Sequence, residues 1–372
     1  DHDFLVEAYH ELIKSVESGR SIPPAAEWII DNFHVIEDQV REIRQDLPEG
    51  YYRELPKLLE GKLKGYPRVY AIALSLLAHT DSHLEFHSIQ RFIAAFQESS
   101  PLSIGELWAV AIHLRIALID NVRRVASEVI HAGRLRQEAS KIVNELLADE
   151  SISEAGVKRR TDDILSLLGR SGPCECALVS LVTQRLRDQD QKFLPLLEAL
   201  NRYCIFRKRT VEDLVREEHD RQAISQATTR NIIQSMRLLS TIDWRDFFES
   251  VSLTDAILRR DPSRAYEAMD FESRNRYRNV IERIARRTGT DELEVSEAAV
   301  ALALEAAGRG EMDRRREHVG YYLVAKGARE LEAHFHYKPY PGERARRFLL
   351  DHPRFAYFSP DRKSTRLNSS HG

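Results

Sequence analysis

The apolar residues that follow Pro23 and Pro24 recur with the period of an α-helix. They are Ile29, Phe33, Ile36, Val40, Ile43 and Leu47. At about 100° per residue, this spacing places all six within an arc of roughly 80° on a helix. Proline is tolerated in the first turn of a helix, and Pro48 and Gly50 are typical of a helix end. The pattern predicts one amphipathic helix over residues 25–47.

The same periodicity continues through most of the chain. Residues 103–147 are patterned almost without a break, and Ser103 with Glu106 fits a helix capping box. Another long helix is predicted over 211–242. The 372 residues include only 16 Gly and 13 Pro, well below the roughly 12% that is average, so turns are scarce. The sequence therefore predicts an all-α fold, either a multi-helical bundle or an irregular helical array, with no significant sheet.

The length predicts two or three domains. Residues 149–173 are polar and contain three glycines, so we expect a flexible connector there. It would join an N-terminal helical domain, residues 1–148, to a second helical domain, residues 174–340. Residues 361–372 contain DRKSTRLNSSH, one reading frame of a common sequencing adapter, and we interpret this stretch as an artefact without a packed structure.

Composition excludes several classes of protein. With 55 Lys+Arg against 58 Asp+Glu, the chain is not a strongly basic nucleic-acid binder. Its three cysteines are too few for a disulfide scaffold, and the C-x-C spacing of Cys174 and Cys176 does not fit a zinc site. No apolar stretch reaches the roughly 18 residues of a membrane helix. We expect a soluble chain without a cofactor.

Catalytic and metal-binding motifs are weak. The D-x-D triplet at 188–190 follows a helical pattern rather than a strand, so we interpret it as a solvated helix end. His83 and His87 have a spacing that can share a metal on a helix. They lie in a helix junction that also carries Thr80, Asp81 and Ser82, which favours a capped polar turn. We predict no catalytic residue and no metal site.

A polar face on the first predicted helix carries the best candidates for a site. Glu27, Asp31, His34 and Asp38 recur opposite the apolar stripe. Carboxylates beside a histidine can perform acid–base chemistry or bind sugar hydroxyls. The simpler interpretation is a solvated polar face.

Arg115 lies on the apolar side of the helix predicted over 103–147, near Trp108. A buried guanidinium requires an anionic partner. Glu27 or Asp31 are the leading candidates for that partner. A structural ion pair is the favoured interpretation.

Several long stretches resemble one family, the bacterial cyclic β-1,2-glucan synthases. They are EWIIDNFHVIEDQVREIRQDLPEGYYRELPKL (27–58), GYPRVYAIALSLLAHTDS (65–82), RFIAAFQESSPLSIGELWAVAIHLRIALIDNVRRVA (91–126), SMRLLSTIDWRDFFESVS (235–252), MDFESRNRYRNVIERIA (269–285) and HVGYYLVAKG (318–327). The resemblance extends over about residues 3–358. It points to the N-terminal cytoplasmic region of these large inner-membrane enzymes.

The resemblance implies the chemistry of a parent enzyme. Such a synthase polymerises glucose from UDP-glucose in a membrane glycosyltransferase domain, adjusts chain length in a phosphorylase-like domain and closes the ring. The transferase is expected outside this stretch, and residues 341–360 resemble the lead-in to the first membrane spans. The implied location is the cytoplasmic face of the inner membrane. The implied partners are the transferase and membrane portion of the same protein, with β-1,2-glucan as a candidate ligand and no nucleic acid.

Three functional hypotheses follow. The first is an accessory region that scaffolds, regulates or binds glucan. The second is a region with its own acid–base site at Glu27, Asp31 and His34. The third is a structural oligomerisation module. A cleft lined by aromatic residues would favour sugar binding. The candidate binding residues are Glu27, Trp28, Asp31, His34, Tyr51, Tyr52, Arg53, Glu106, Trp108 and Arg115.

Overall fold

The structure is a computed structural model that describes residues 2–46, 49–149, 152–187, 193–309, 313–340 and 342–344. Over these residues the chain forms helices joined by turns, and its one β-type pairing is an isolated bridge between Lys57 and Pro67. The predicted all-α fold is confirmed. The chain divides after Val251 into two compact units.

The first unit contains twelve of the described α-helices. They are α1 (His2–Glu17), α2 (Pro24–Asp31), α3 (Phe33–Asp46), α4 (Glu49–Glu54), α5 (Arg68–His79), α6 (Phe86–Ser99), α7 (Ile104–Ala148), α8 (Glu154–Arg170), α9 (Glu175–Leu186), α10 (Leu194–Phe206), α11 (Val211–Leu239) and α12 (Trp244–Val251). A short 3-10 helix at Gly172–Cys174 precedes α9.

Helix α7 is the central element of the first unit. Its 45 residues correspond to about 68 Å of helix. The predicted capping box is present, with Ser103 accepting from the Glu106 backbone and Glu106 accepting from the Ser103 backbone. The first part of α7 packs in a core with α1–α3, α5, α6, the end of α11 and α12, whereas residues from Ala132 onward pack in a second core with α8–α10. One helix therefore supports two cores.

The predicted helix over 25–47 is two helices. Asn32 interrupts it, because this residue leaves helical geometry and its side chain donates to the Trp28 carbonyl at 2.9 Å. The apolar stripe survives the break, since Ile29, Phe33 and Ile36 are all buried. The last member of the predicted stripe, Leu47, lies outside the described residues.

The boundary between units differs from the connector expected at 149–173. Most of that stretch is helix α8, and Val157, Ile164 and Leu168 bury their side chains in the second core. Gly156 and Gly169 lie within the helix rather than at a break. The polar residues of this stretch lie mainly on the outer face of a packed helix.

The second unit contains the remaining described α-helices. They are α13 (Leu253–Leu258), α14 (Phe271–Thr288), α15 (Glu292–Arg309), α16 (Val319–Val324) and α17 (Ala328–His334). Their core includes Leu258, Tyr266, Ile281, Val300 and Tyr322.

No helix in the described part of the chain combines the length and the hydropathy needed to cross a bilayer. The stretch interpreted as an adapter artefact and the D-x-D triplet both lie outside the described residues.

Candidate functional site

The candidates whose side chains the structure describes lie partly on exposed helix faces and partly in the interior. Glu27 and Asp31 are exposed on α2, and His34 is exposed in the first turn of α3. Trp28 is half-buried on α2. The side chain of Tyr51 lies outside the described set, and Arg53 is exposed on α4. The acid–base role of the first three residues stays a prediction.

Arg115 is buried and paired, as predicted, but the predicted partners were wrong. Its Nη2 lies 2.7 Å from Oε2 of Glu42 on α3 and donates to the Leu239 carbonyl at 3.1 Å. The guanidinium also lies over the Trp244 ring at 5.9 Å. Glu27 and Asp31 lie on the exposed face of α2, whereas α3 packs against α7 and brings Glu42 to the arginine.

A chain of polar contacts extends from this pair. Gln39 donates to the Ser240 hydroxyl at 2.8 Å, and that hydroxyl donates to Oε1 of Glu42 at 3.3 Å. Near the break between α2 and α3, Arg237 donates to the Asn32 side chain at 2.6 Å. These contacts fasten α3 to α11 and enclose the arginine. They form an interhelical network rather than an open site.

Glu106 is buried and Trp108 is half-buried. Glu106 is 1% exposed and accepts two hydrogen bonds from the Arg68 guanidinium, at 2.9 and 2.7 Å. Trp108 stacks on Phe248 with ring centroids 4.7 Å apart. The pair with Arg68 joins α5 to α7, and the stacked rings join α7 to α12. Both contacts hold helices together.

Tyr52 belongs to a cluster that the sequence did not reveal. We define the tyrosine–histidine cluster as Tyr52, Tyr66, Tyr70, His113 and Asp120. The Tyr66 and Tyr70 rings stack at 5.5 Å, while His113 lies 6.4 Å from Tyr52 and 6.3 Å from Tyr70. The Tyr70 hydroxyl donates to Asp120. His113 and Asp120 are seven residues apart on one face of α7, and this is the signal that could have found the cluster.

Burial sets the protonation of this cluster. It raises the pKa of Tyr52 and Tyr70 and lowers the pKa of His113. His113 Nδ1 lies 2.7 Å from the Ala109 carbonyl and must donate to it, because a carbonyl only accepts. Its Nε2 is then an acceptor, and it is buried without a hydrogen-bond partner. Tyr66, 49% exposed, gives the cluster an aromatic face at the surface.

The cluster suits binding better than catalysis. Aromatic faces beside phenol, carboxylate and imidazole groups match a neutral ligand rich in hydroxyl groups. Among the described residues, no group of three or more His, Cys, Asp or Glu side chains could hold a metal ion.

A second buried group surrounds Glu218 on α11. Glu218 accepts from Arg136, from Arg221 at 2.8 Å and from Gln222 at 2.6 Å, and the Cys176 thiol lies 3.3 Å away. Burial raises the pKa of Cys176 to about 11, so this cysteine is a thiol at neutral pH and a poor nucleophile. The adjoining cavity is about 30 Å³, far below the roughly 300–1,000 Å³ of a typical ligand pocket.

A serine, a histidine and an aspartate meet in the second unit, but not as a catalytic triad. Ser263 and Asp261 both contact Nδ1 of His318, at 3.2 and 2.7 Å, while Nε2 lies 2.9 Å from the Tyr277 hydroxyl. A triad requires the serine and the carboxylate on opposite ring nitrogens. Asp261 also accepts from the Val319 backbone at 3.0 Å, so this group fixes the start of α16.

The polar turn between α5 and α6 contains His83, whereas His87, the other histidine with metal-binding spacing, lies in the first turn of α6. Asp81 and Ser82 adopt positive φ, and Ser82 is buried. Its carbonyl accepts from Ser235 at 2.7 Å and its hydroxyl accepts from Asn121 at 3.0 Å. The turn is a structural junction between helices.

Comparison with known proteins supports the family resemblance. No family model matches the chain. The chain is 35% identical over 338 residues to the cyclic beta-(1,2)-glucan synthase NdvB of Rhizobium meliloti (strain 1021), an alignment that covers 90% of this chain and 12% of that protein. The chain thus spans about an eighth of the length of this relative. Over nearly its whole length, the chain is similar to one segment of a cyclic β-(1,2)-glucan synthase, which confirms the resemblance inferred from its motifs.

Proposed function

We propose that this chain is a non-catalytic helical scaffold region of a cyclic β-1,2-glucan synthase. The observation that carries the proposal is the placement of its buried charged groups. Glu106, Arg115 and Glu218 in the first unit, and Asp255 and Asp261 in the second, each bind a group from another segment of the fold. Charges used in this way hold helices in register and are not available to a substrate.

The proposed partners are the transferase and membrane portion of the same synthase. Glucose transfer from UDP-glucose would take place there, with this region at the cytoplasmic face of the inner membrane. In this proposal the region positions or regulates the transferase. It contributes no cofactor, metal or catalytic side chain of its own.

The test compares two sets of variants in a full-length synthase that carries this region. Glu106→Gln should lower the amount of folded enzyme and leave KM for UDP-glucose unchanged, because it breaks a helix contact. The triple variant Glu27→Gln, Asp31→Asn, His34→Gln should leave both unchanged. Loss of turnover in the triple variant at a normal level of folded enzyme would instead support the acid–base hypothesis.

A second candidate function is glucan binding at the tyrosine–histidine cluster. The half-exposed Tyr66 ring, stacked on Tyr70 near the unpartnered Nε2 of His113, favours it. A sugar ring would lie on the aromatic face while its hydroxyl groups meet the polar atoms.

Calorimetric titration with linear β-1,2-gluco-oligosaccharides tests this second function. Tyr66→Ala should weaken binding about tenfold, a loss of about 1.4 kcal/mol. The control Tyr340→Ala removes another tyrosine of similar exposure, 45% against 49%, and should change nothing. Equal affinities for the two variants would exclude the cluster as the glucan site.

A further inference from the structure

The C-terminal end of α10 exposes adjacent apolar and basic side chains. We define the basic–apolar tip as Ile205, Phe206, Arg207 and Lys208. Ile205 is 62% exposed and Phe206 is 86% exposed, the highest fraction among the large apolar side chains of the described residues. A phenylalanine held in water beside an exposed isoleucine marks a surface that binds something apolar.

The backbone of the tip is well satisfied. Lys208 adopts a positive φ of 59°, its N–H donates to the Ile205 carbonyl at 2.8 Å, and the N–H of Arg209 donates to the Cys204 carbonyl at 3.0 Å. Cys204 itself is buried in the second core. The turn is therefore held in place by the buried Cys204, and its four side chains lie at the surface.

Arg207 and Lys208 of the tip are exposed, and Lys208 lines a surface pocket together with Asp213, Glu217 and Asp220. Glu217 pairs with Arg209, Asp213 caps α11 by accepting from the Thr210 N–H at 3.0 Å, and Glu175 accepts from the Tyr203 hydroxyl at 3.1 Å. Arg207 lies over the Tyr203 ring at 5.5 Å.

We propose that the basic–apolar tip docks this chain on the surface of an anionic lipid bilayer. Ile205 and Phe206 would enter the boundary between headgroups and acyl chains, while Arg207 and Lys208 meet lipid phosphates. This inference is independent of the scaffold function, because it rests on exposed side chains that hold no helices together.

The chemistry favours a bilayer over a protein partner. The centre of a protein interface is depleted of charged residues, and lysine in particular is rare there. Here both cations directly follow the two apolar residues at the end of a helix. Apolar side chains with two cations beside them match a bilayer surface, where charged headgroups border the apolar acyl chains.

Vesicle flotation of the purified chain tests the proposal. With vesicles of phosphatidylcholine and phosphatidylglycerol in equal amounts, the chain should float with the lipid at low salt, and raising the salt should weaken binding. With vesicles of phosphatidylcholine alone, binding should be at least about tenfold weaker.

Two double variants locate the contact. Ile205→Ser with Phe206→Ser, and Arg207→Glu with Lys208→Glu, should each reduce binding at least about tenfold. The matched controls are Leu304→Ser, at an exposed leucine on α15 beside Glu305, and Lys158→Glu with Arg230→Glu, which reverses two other exposed cations. Both controls should bind like the original chain. All these positions are exposed, so far-UV circular dichroism should be unchanged.

Three outcomes would overturn the proposal. The first is no binding of the original chain to anionic vesicles. The second is binding that the tip variants leave unchanged, which would place the lipid contact elsewhere. The third is self-association seen by sedimentation equilibrium and abolished by Phe206→Ser, which would make the tip an interface between copies of this chain.

Discussion

The two units bury charge in different ways. In the first unit, Arg68–Glu106 and Arg115–Glu42 lie at separate helix contacts, and one buried acceptor, Glu218, is shared by three donors. The second unit concentrates buried charge on Asp255 and Asp261, six residues apart. Asp255 alone accepts from Arg278 at 2.6 Å, from Tyr266 at 2.7 Å and from Arg259 at 2.7 Å.

This difference indicates which substitutions should destabilise each unit most. A pair at one helix contact can fail while the rest of a large core remains. An acceptor shared by three donors joins several segments, and its loss leaves a buried cation and a buried hydroxyl without their carboxylate. The second unit should therefore be most sensitive at Asp255, and the first unit should be more sensitive at Glu218 than at its separate ion pairs.

The largest effect is expected for Asp255→Asn. Arg278 is 0% exposed, and removing one member of a buried ion pair costs about 3–5 kcal/mol. All three tryptophans, Trp28, Trp108 and Trp244, lie in the first unit. In thermal unfolding, far-UV circular dichroism should show a transition at a lower temperature than in the original chain. The transition seen by tryptophan fluorescence should keep its temperature.

Glu297→Gln is the control for this comparison, because the Arg260–Glu297 pair is about half-exposed on both sides. It should cost less than about 1 kcal/mol. A similar loss for both variants would mean that burial of charge does not distinguish Asp255. An equal shift of the fluorescence transition would mean that the two units unfold together.

A smaller loss is expected for Arg115→Ala in the first unit. Its partner Glu42 keeps 33% of its side chain exposed and can regain water, so we expect about 2–3 kcal/mol rather than the full cost of a buried pair. Urea unfolding followed by tryptophan fluorescence measures the free energy of unfolding. A double-mutant cycle with Glu42→Ala isolates the coupling between the two side chains.

Arg124→Ala is the matched control on the same helix, since its pair with Glu128 is exposed on both sides. Its cost should stay below about 1 kcal/mol. A free energy of unfolding unchanged by Arg115→Ala would reject the structural role of the pair with Glu42.

Low pH should weaken the second unit. Burial by itself would raise the pKa of Asp255 and Asp261, but hydrogen bonds, chiefly from Arg278 to the first and from His318 to the second, hold both below the ordinary value. A lowered carboxyl pKa stabilises the fold above the unfolded value of about 3.9, and this stability is lost as pH falls through the folded value.

Unfolding measured from about pH 6 down to about pH 2 checks this dependence. If folding lowers the pKa of a carboxyl group by one pH unit, that group stabilises the folded state by about 1.4 kcal/mol. The pH dependence should be smaller in Asp255→Asn, because that variant has one fewer carboxylate to protonate. A second unit whose stability stays constant over this range would contradict the assignment.

The smallest effect is expected at the start of α7. Ser103→Ala removes one side of the capping box, which is worth about 1 kcal/mol. The measurement is again urea unfolding followed by tryptophan fluorescence. Ser99→Ala, at an exposed serine at the end of α6, is the control and should change stability little. If both serines cost the same, the cap does not contribute to α7.

Much of the local structure could be predicted from the sequence because its causes are local. The spacing of apolar residues and the Ser103–Glu106 pair are sufficient to place α7, and similar patterning places α11. The failures have local causes as well. The Asn32 side chain satisfies the Trp28 carbonyl and ends α2, an option that the apolar pattern of residues 25–47 does not reveal.

The candidate site could be predicted only in part. That Arg115 is buried and paired follows from its position on an apolar helix face and from the cost of an unpaired guanidinium. That the partner is Glu42 depends on how α3 packs against α7, which no local pattern specifies. The tyrosine–histidine cluster joins residues as far apart as Tyr52 and Asp120 and was missed for the same reason.

The sequence by itself determined the fold class, the main helices and the resemblance to cyclic β-1,2-glucan synthases. Periodicity, caps and motifs each depend on residues that are close together in the sequence. Only the tertiary structure decided which charges meet, where the chain divides into units and which apolar side chains stay in water. Ile205 and Phe206 make this plain, because their apolar character predicts burial and only the packed structure leaves them exposed. Such choices depend on contacts between segments distant in the chain, whose geometry is set when the helices pack.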